Sequence, residues 1–409
     1  MSVFSGILTY LVAAYLFFIL LRSRFNAKNG AIAHGLLYWH MLVSSAYYLY
    51  AIYNASDSKE YFKRTSTGNL SWLDTYGTGT PFIDFLVYPF VNTFHFSYEA
   101  CMGLFAAFGY LAFLFFFLLF NEHIKGRIMW RSINLLPVIL FLPNLHFWSA
   151  SLGKGSVIFL GIAMIFYALS NFKSRILFLL LGLTIVYNVR PHIALVILMS
   201  TVLGGLFSGK GISKTAKFFI LVAAGIAFTL VFENVMQYVG VENSESADER
   251  FGKLASDLGK ANSGIDISNY SLPEKIFAFL FRPLFIDSPN ALGIFSSMEN
   301  VLYLILAIEL FRKKKGLTFL MKSDFITKTA FFSFLTTAIA LAQITGNLGL
   351  AMRQKSQVMI LFLFVVMKFM YAEKQKRLLI LKKKKDLRER KLRELKEQQI
   401  QIENIQPIV

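Results

Sequence analysis

The chain has 409 residues, 56% of them hydrophobic, with a mean hydropathy of +0.54 and a formal net charge of +18. Soluble domains carry about 45–50% apolar residues, and here the excess is gathered in blocks of about 18–24 residues, the length that crosses a bilayer as helix. A soluble domain is thereby excluded. The single cysteine, Cys101 in an apolar block, excludes an internal disulfide and a thiolate metal site.

Eleven apolar spans are expected in chain order. The first, about 4–21, opens without a basic leader or a small-residue cleavage site and reads as a retained helix. The second is about 31–53. A polar loop at 54–80 and a short apolar piece at 81–94 lead to the third, about 96–120. Spans four to seven, about 133–148, 156–169, 176–187 and 193–207, are short and separated by Pro or Gly. Span eight is about 218–235, followed by a polar loop at 236–272 and an apolar piece at 273–285. Spans nine to eleven are about 291–311, 326–345 and 358–371.

Lys/Arg clusters at 22–28, 125–131, 173–175, 210–217, 312–328 and in the tail all fall on one side if the N-terminus starts on the other. The positive-inside bias makes that side cytoplasmic. The expected fold is an all-α, polytopic transmembrane helical bundle of about eleven spans. Its N-terminus is outside, its C-terminus cytoplasmic, and short broken or re-entrant helices lie on the outer face. The domains are 1–372, with outer loops 54–95 and 236–288 over a site, and a basic amphipathic tail, 373–409. From Glu373 onward the tail holds twelve Lys/Arg and six Asp/Glu, a third of the net charge. Such a tail suits anionic membrane lipid and not nucleic acid.

Five basic residues depart from this bias. Lys154, Arg190, Arg282, Arg353 and Lys355 lie at the outer ends of apolar runs, and Arg190 and Arg282 each precede a proline. Proline disfavours helix in the residue before it, which places each Arg at a helix break. One such cation snorkels readily to lipid headgroups, but five together favour a binding site for a lipid-linked phosphate or pyrophosphate. Lys59, Lys63 and Arg64 have Asp57 and Glu60 nearby and read as paired or solvated. The polar complement on the same side includes Asp57, Tyr61, Asp74, Asp84, His95, Glu99, Asn144, His146, Asn188, His192, Asp287 and Glu299. Carboxylates and histidines can accept a proton from an attacking sugar hydroxyl. Glu99 is equally suited to a helix N-terminus, and His146 beside Phe147 and Trp148 equally suits an interfacial aromatic belt.

The stretch 142–155, with Pro143, Phe147, Trp148, Ser149, Gly153 and Lys154, resembles the P-x-x-x-F-W-S-x-x-x-G-K-D region of bacterial polysaccharide polymerases. Gly155 stands where an acidic residue often follows the Lys. Asp57 and Tyr61 are similar to the D-x-x-x-Y region of EpsG-type members, and the Arg-Pro breaks and Arg353 to their outer arginines. The resemblance implies a Wzy/EpsG-type polymerase of exopolysaccharide or O-antigen, GT-C-like, in the bacterial inner membrane. It would transfer a glycan between undecaprenyl-pyrophosphate carriers without nucleotide sugar, cofactor or obligatory metal. Asp57, Glu99 and His146 are then the catalytic candidates. Lys154, Arg190, His192, Arg282, Arg353 and Lys355 are the pyrophosphate-binding ones. Two alternatives stay open: a GT-C glycosyltransferase using a polyprenyl-phosphate sugar, and a glycolipid transporter without catalysis.

Overall fold

The structure, a computed structural model, describes residues 2–68, 71–208, 213, scattered positions in 215–229, 267, 270–288, 291–312 and 314–405. The expected span at 218–235 and the loop at 236–272 lie largely outside the described residues. The described chain is almost wholly helical: α1 (Ser2–Leu21), α2 (Ala27–Tyr53), α3 (Asp57–Thr67), α4 (Thr80–Tyr88), α5 (Tyr98–His123), α6 (Leu135–Leu140), α7 (Pro143–Trp148), α8 (Lys154–Ser170), α9 (Ile176–Val189) and α10 (Pro191–Phe207). Then come α11 (Leu272–Phe281), α12 (Ala291–Phe311), α13 (Lys314–Lys322), α14 (Phe325–Ile344) and α15 (Leu348–Ile405). One antiparallel hairpin, β1 (Met129–Trp130) and β2 (Ile133–Asn134), precedes α6.

Among the described residues five helices are long and apolar enough to cross a membrane, and four more apolar segments are shorter. The shorter ones are those the Pro and Gly breaks foretold. The expected fourth span is split into α6 and α7, with Pro143 at the first turn of α7 where its missing N–H is harmless. The piece at 81–94 is α4 followed by a π-turn, Pro89–Thr93. No break occurs at 373: α15 runs from Leu348 to Ile405 as one helix, so the expected tail domain is its continuation.

Three helices form the interior, one of them α8, buried from Gly155 to Ala168. α5 is buried along nearly its whole length, and so is α15 from Val358 to Met367. A helix that is apolar all round must be surrounded by other helices or by lipid; α5 is surrounded by α1, α2 and α8. α1 lies close along α5 because Gly6 and Gly103 face each other. A Cβ on Gly103 would fall 2.1 Å from the Gly6 carbonyl oxygen, and one on Gly6 would fall 2.7 Å from that of Glu99. Gly161 and Gly182 bring α8 and α9 together in the same way. Without a hydrophobic gain between helices in lipid, such close packing is what holds them.

Side-chain contacts sort the helix ends into two groups. At one end Arg24 donates to the Tyr167 hydroxyl (2.7 Å), Arg175 pairs with Glu122 (2.5 Å) and Lys368 pairs with Asp324 (2.7 Å). There Lys328 also donates to the Phe207 and Met321 carbonyls, and Lys374 to that of Arg127. This is the end where α15 leaves the bundle. At the other end Arg353, in the second turn of α15, pairs with Asp57 of α3 (2.5 Å).

Gly103→Ala is expected to destabilise the protein by about 1–3 kcal/mol, because the added methyl meets rigid backbone. Gly30→Ala, where a Cβ meets nothing within 4 Å, is expected to be neutral or stabilising by up to about 1 kcal/mol. Thermal unfolding of both variants in the same detergent checks the pair.

Candidate functional site

The α3 end contains a cavity of about 350 Å³. Its first wall is one face of α3. Asp57, Glu60, Tyr61 and Arg64 recur at the helical spacing i, i+3, i+4, i+7 and all line it. The opposite side of α3 is anchored: Ser58 is buried and its hydroxyl shares a 2.8 Å hydrogen bond with the Tyr98 phenol of α5. The Asn92 amide donates to the Thr65 carbonyl at 3.0 Å. Burial raises the Tyr61 phenol above its ordinary pKa, with Asp57 adding to the effect.

The second wall consists of helix beginnings. Lys154 is the first residue of α8, after Gly153, whose φ of +148° is open to glycine alone. A Cβ on Gly153 would also come 3.1 Å from the Tyr61 ring, so the turn closes directly on α3. Arg190 is the hinge residue between α9 and α10, and Pro191 forces the break. The Asn188 side chain accepts from the Tyr76 hydroxyl at 2.8 Å, and its carbonyl from the Gly79 N–H at 2.7 Å. The α3–α5 connection is thereby tied to the break. Leu350 and Arg353 of α15 and Thr80 of α4 complete the lining.

Four cations thus face two carboxylates across one cavity. Arg64 is partly committed, its fork gripping Asp84 at 2.9 and 3.0 Å while it lies 5.0 Å from the Tyr61 ring centre. Asp84 holds the Arg64 guanidinium above its ordinary pKa. Asp57 is engaged by Arg353. Glu60 makes no hydrogen bond among the described residues. The N-terminal ends of α8 and α10 add positive dipole ends to the same wall. The arrangement suits a multiply charged anion with one carboxylate left able to take a proton. Among the described residues no group of three His, Cys, Asp or Glu side chains is placed to hold a metal ion.

Of the cations expected at one site, Lys154, Arg190 and Arg353 are brought together. Arg282 and Lys355 are elsewhere. Arg282 forks onto Asp287 at 2.7 and 3.0 Å and reaches the Tyr270 hydroxyl at 3.3 Å. Lys355 is fully buried and donates to the Leu280 and Arg282 carbonyls and to Asn300 Oδ1. Arg282 closes the α11–α12 connection on itself, and Lys355 ties that connection to α15. His192, in the first turn of α10, does not line the cavity but lies within electrostatic reach of Arg190 and Lys154.

Of the catalytic candidates only Asp57 is at the cavity. Glu99 accepts from the Tyr48 hydroxyl at 3.1 Å and edges a separate apolar groove between α1, α2 and α5. His146 has no exposed surface. Its Nε2 is 2.7 Å from the Leu140 carbonyl oxygen, which can only accept, so Nε2 carries the proton and Nδ1 accepts from His40 Nδ1 at 2.8 Å. Its ring stacks on Phe113 with centroids 3.8 Å apart. A ring so enclosed fixes the α6–α7 break and does not line the cavity. Glu299, likewise buried, accepts from the Asn144 N–H at 2.6 Å and the Tyr303 hydroxyl at 2.9 Å, satisfying the start of α7. Two site residues escaped the sequence reading, Arg64 and Glu60. Their signal was the helical spacing from Asp57, hidden because nearby opposite charges in a polar loop read as solvated.

Glu299→Ala is expected to cost about 1–3 kcal/mol, because it orphans a buried N–H at the α7 start; melting curves against wild type check it. Asp287 gives a pH signature. Arg282 holds its carboxyl below the ordinary value of 3.8, so its contribution is full above that pH and is lost as pH falls through the lowered value. Asp287→Asn is expected to remove this acid-side loss from the melting temperature profile.

Comparison with known proteins returned no matching family model, no matching curated protein and no matching solved structure.

Proposed function

We propose that the chain is a membrane glycosyltransferase that polymerises lipid-pyrophosphate-linked oligosaccharide units at the outer face of a bacterial inner membrane. In this reading the bundle crosses eleven times, the N-terminus and the α3 end face outward, and the tail is cytoplasmic. The supporting observation is the convergence of Lys154, Arg190, Arg353 and Arg64 with Asp57 and Glu60 on one cavity, from four separate stretches of chain. A cavity of about 350 Å³ falls within the usual range for small-molecule sites.

The chemistry follows from the charges. A hydroxyl of the acceptor sugar attacks the anomeric carbon of the donor glycan. The bond from that carbon to the pyrophosphate oxygen breaks, and the leaving carrier pyrophosphate gains negative charge. Arg190, Lys154 and Arg353 oppose that charge where it develops, which is where fixed cations accelerate a reaction. The hydroxyl proton goes to a carboxylate. Glu60 is the better placed, since Asp57 is neutralised by Arg353; Asp57 keeps Arg353 aimed at the cavity.

Reconstitution with labelled lipid-pyrophosphate oligosaccharide, in the absence of nucleotide sugar, is expected to yield longer chains. Arg190→Ala and Arg353→Ala are each expected to lower kcat/KM by about 10²–10³-fold. Glu60→Gln is expected to lower kcat by about 10²–10⁴-fold with little change in KM. A polyprenyl-phosphate monosaccharide donor tested in parallel separates this reaction from the GT-C alternative. If products do not lengthen with either donor and Arg190→Ala leaves substrate binding untouched, the proposal is overturned.

A further inference from the structure

A second basic cavity lies at the opposite end of the bundle. It encloses about 450 Å³ between the β1–β2 hairpin, the end of α12, the start of α13 and the part of α15 just beyond its buried run. Arg127, Arg131, Arg312 and Arg377 converge on it with Lys315 and Lys374. Two carboxylates, Glu309 and Glu373, also line it. Glu373 is occupied by Lys376 at 2.8 Å and Lys315 at 3.7 Å. Among the described residues none of the four arginines forms a salt bridge with a carboxylate, and Arg377 is only within electrostatic reach of Glu373.

Three features separate this cavity from the scattered cations of an ordinary cytoplasmic surface. It is a concavity with an apolar floor, formed by Ile128, Phe369 and Met370. Its hairpin is built for position and not for ease of turning. Arg131 and Ser132 at the tip take φ values of 45° and 71°, where glycine or asparagine is the usual choice. Residues held in this region without glycine gather at ligand-binding places. Arg131 lies 5.3 Å from the Trp130 ring centre, and Lys374 pins the hairpin base by donating to the Arg127 carbonyl at 2.7 Å. Finally, its depth is set by α15. Glu373 is twenty residues beyond Arg353 on one helix, about 30 Å at 1.5 Å per residue, which is one hydrocarbon thickness. On the membrane orientation proposed above, on which this inference rests, the cavity is at the level of lipid headgroups.

We infer that this cavity binds the phosphate group of an anionic ligand at the membrane surface, held by arginine forks with its apolar end on the floor. Guanidinium planes match phosphate oxygens in pairs, and an anion relieves the mutual repulsion of the four arginines. The same chemistry is offered by a phospholipid headgroup and by a soluble phosphate.

The test uses full-length protein in neutral detergent and native mass spectrometry with short-chain phosphatidylglycerol, phosphatidylcholine of the same chains, and inorganic pyrophosphate. Wild type is expected to retain one phosphatidylglycerol in preference to phosphatidylcholine. The double variant Arg131→Ala/Arg312→Ala is expected to lose that retention by about tenfold or more, since two charge-assisted contacts are removed. Arg190→Ala at the far cavity and Lys383→Ala/Lys384→Ala on the exposed tail are expected to retain it fully. Arg312→Gln carries the comparison if the double variant does not fold. Displacement of the lipid by inorganic pyrophosphate would assign the cavity to a soluble phosphate; persistence of the lipid assigns it to the membrane. Retention of neither anion, or equal loss in the tail variant, overturns the inference.

Discussion

A helix that stops in apolar surroundings leaves N–H and C=O groups that only protein can satisfy. The interrupted stretches of this bundle depend on that constraint being met at each break. At the α6–α7 break, Glu299 reaches from α12 to the Asn144 N–H, and His146 reaches back to the Leu140 carbonyl. At the α9–α10 break, the Gly79 N–H and the Tyr76 hydroxyl close on Asn188. After α11, Lys355 takes up the Leu280 and Arg282 carbonyls. Polar residues that look reactive in the sequence are consumed in these repairs. The cations that line the cavity stand apart from these repairs.

The division between repair and site follows from burial and partner type. Lys355 and His146 are fully buried and have every polar atom engaged by neutral acceptors or by another ring. Such groups are costly to disturb and unavailable to a ligand. Asp57 and Glu60 lie on an accessible helix face, and Arg353 reaches Asp57 from the far side of the chain. Among the described residues Lys154 has no salt bridge comparable with that of Arg64 to Asp84 or of Arg282 to Asp287, though Asp57 is within electrostatic reach. A wall with an excess of positive charge concentrates anions before any contact is made.

The helical class and the apolar blocks were legible in composition, and the Pro and Gly breaks announced the short helices. Lys154, Arg190 and Arg353 were legible as a group because each broke the charge bias at the end of an apolar run. Arg282 and Lys355 carried the same signal for a different reason. Their partners, Asp287 and the carbonyls around residues 280–282, become neighbours only once the chain turns back on itself, which no one-dimensional pattern displays. Glu60 and Arg64 failed in the opposite direction, since a charged loop hid an amphipathic helix of eleven residues. The continuity of α15 through 373 was missed because a change of composition from apolar to charged resembles a boundary. Backbone geometry is indifferent to it, as Lys, Arg, Glu and Leu are all good helix formers.

That continuity has a mechanical meaning. α15 is 58 residues long, about 87 Å of unbroken rod, and it carries Arg353 at one rim and Arg377 at the other. A rod transmits rotation and axial displacement along its length with little loss. The two rims are thus geared to one another, and no movement of α15 as a body can reset one while leaving the other in register.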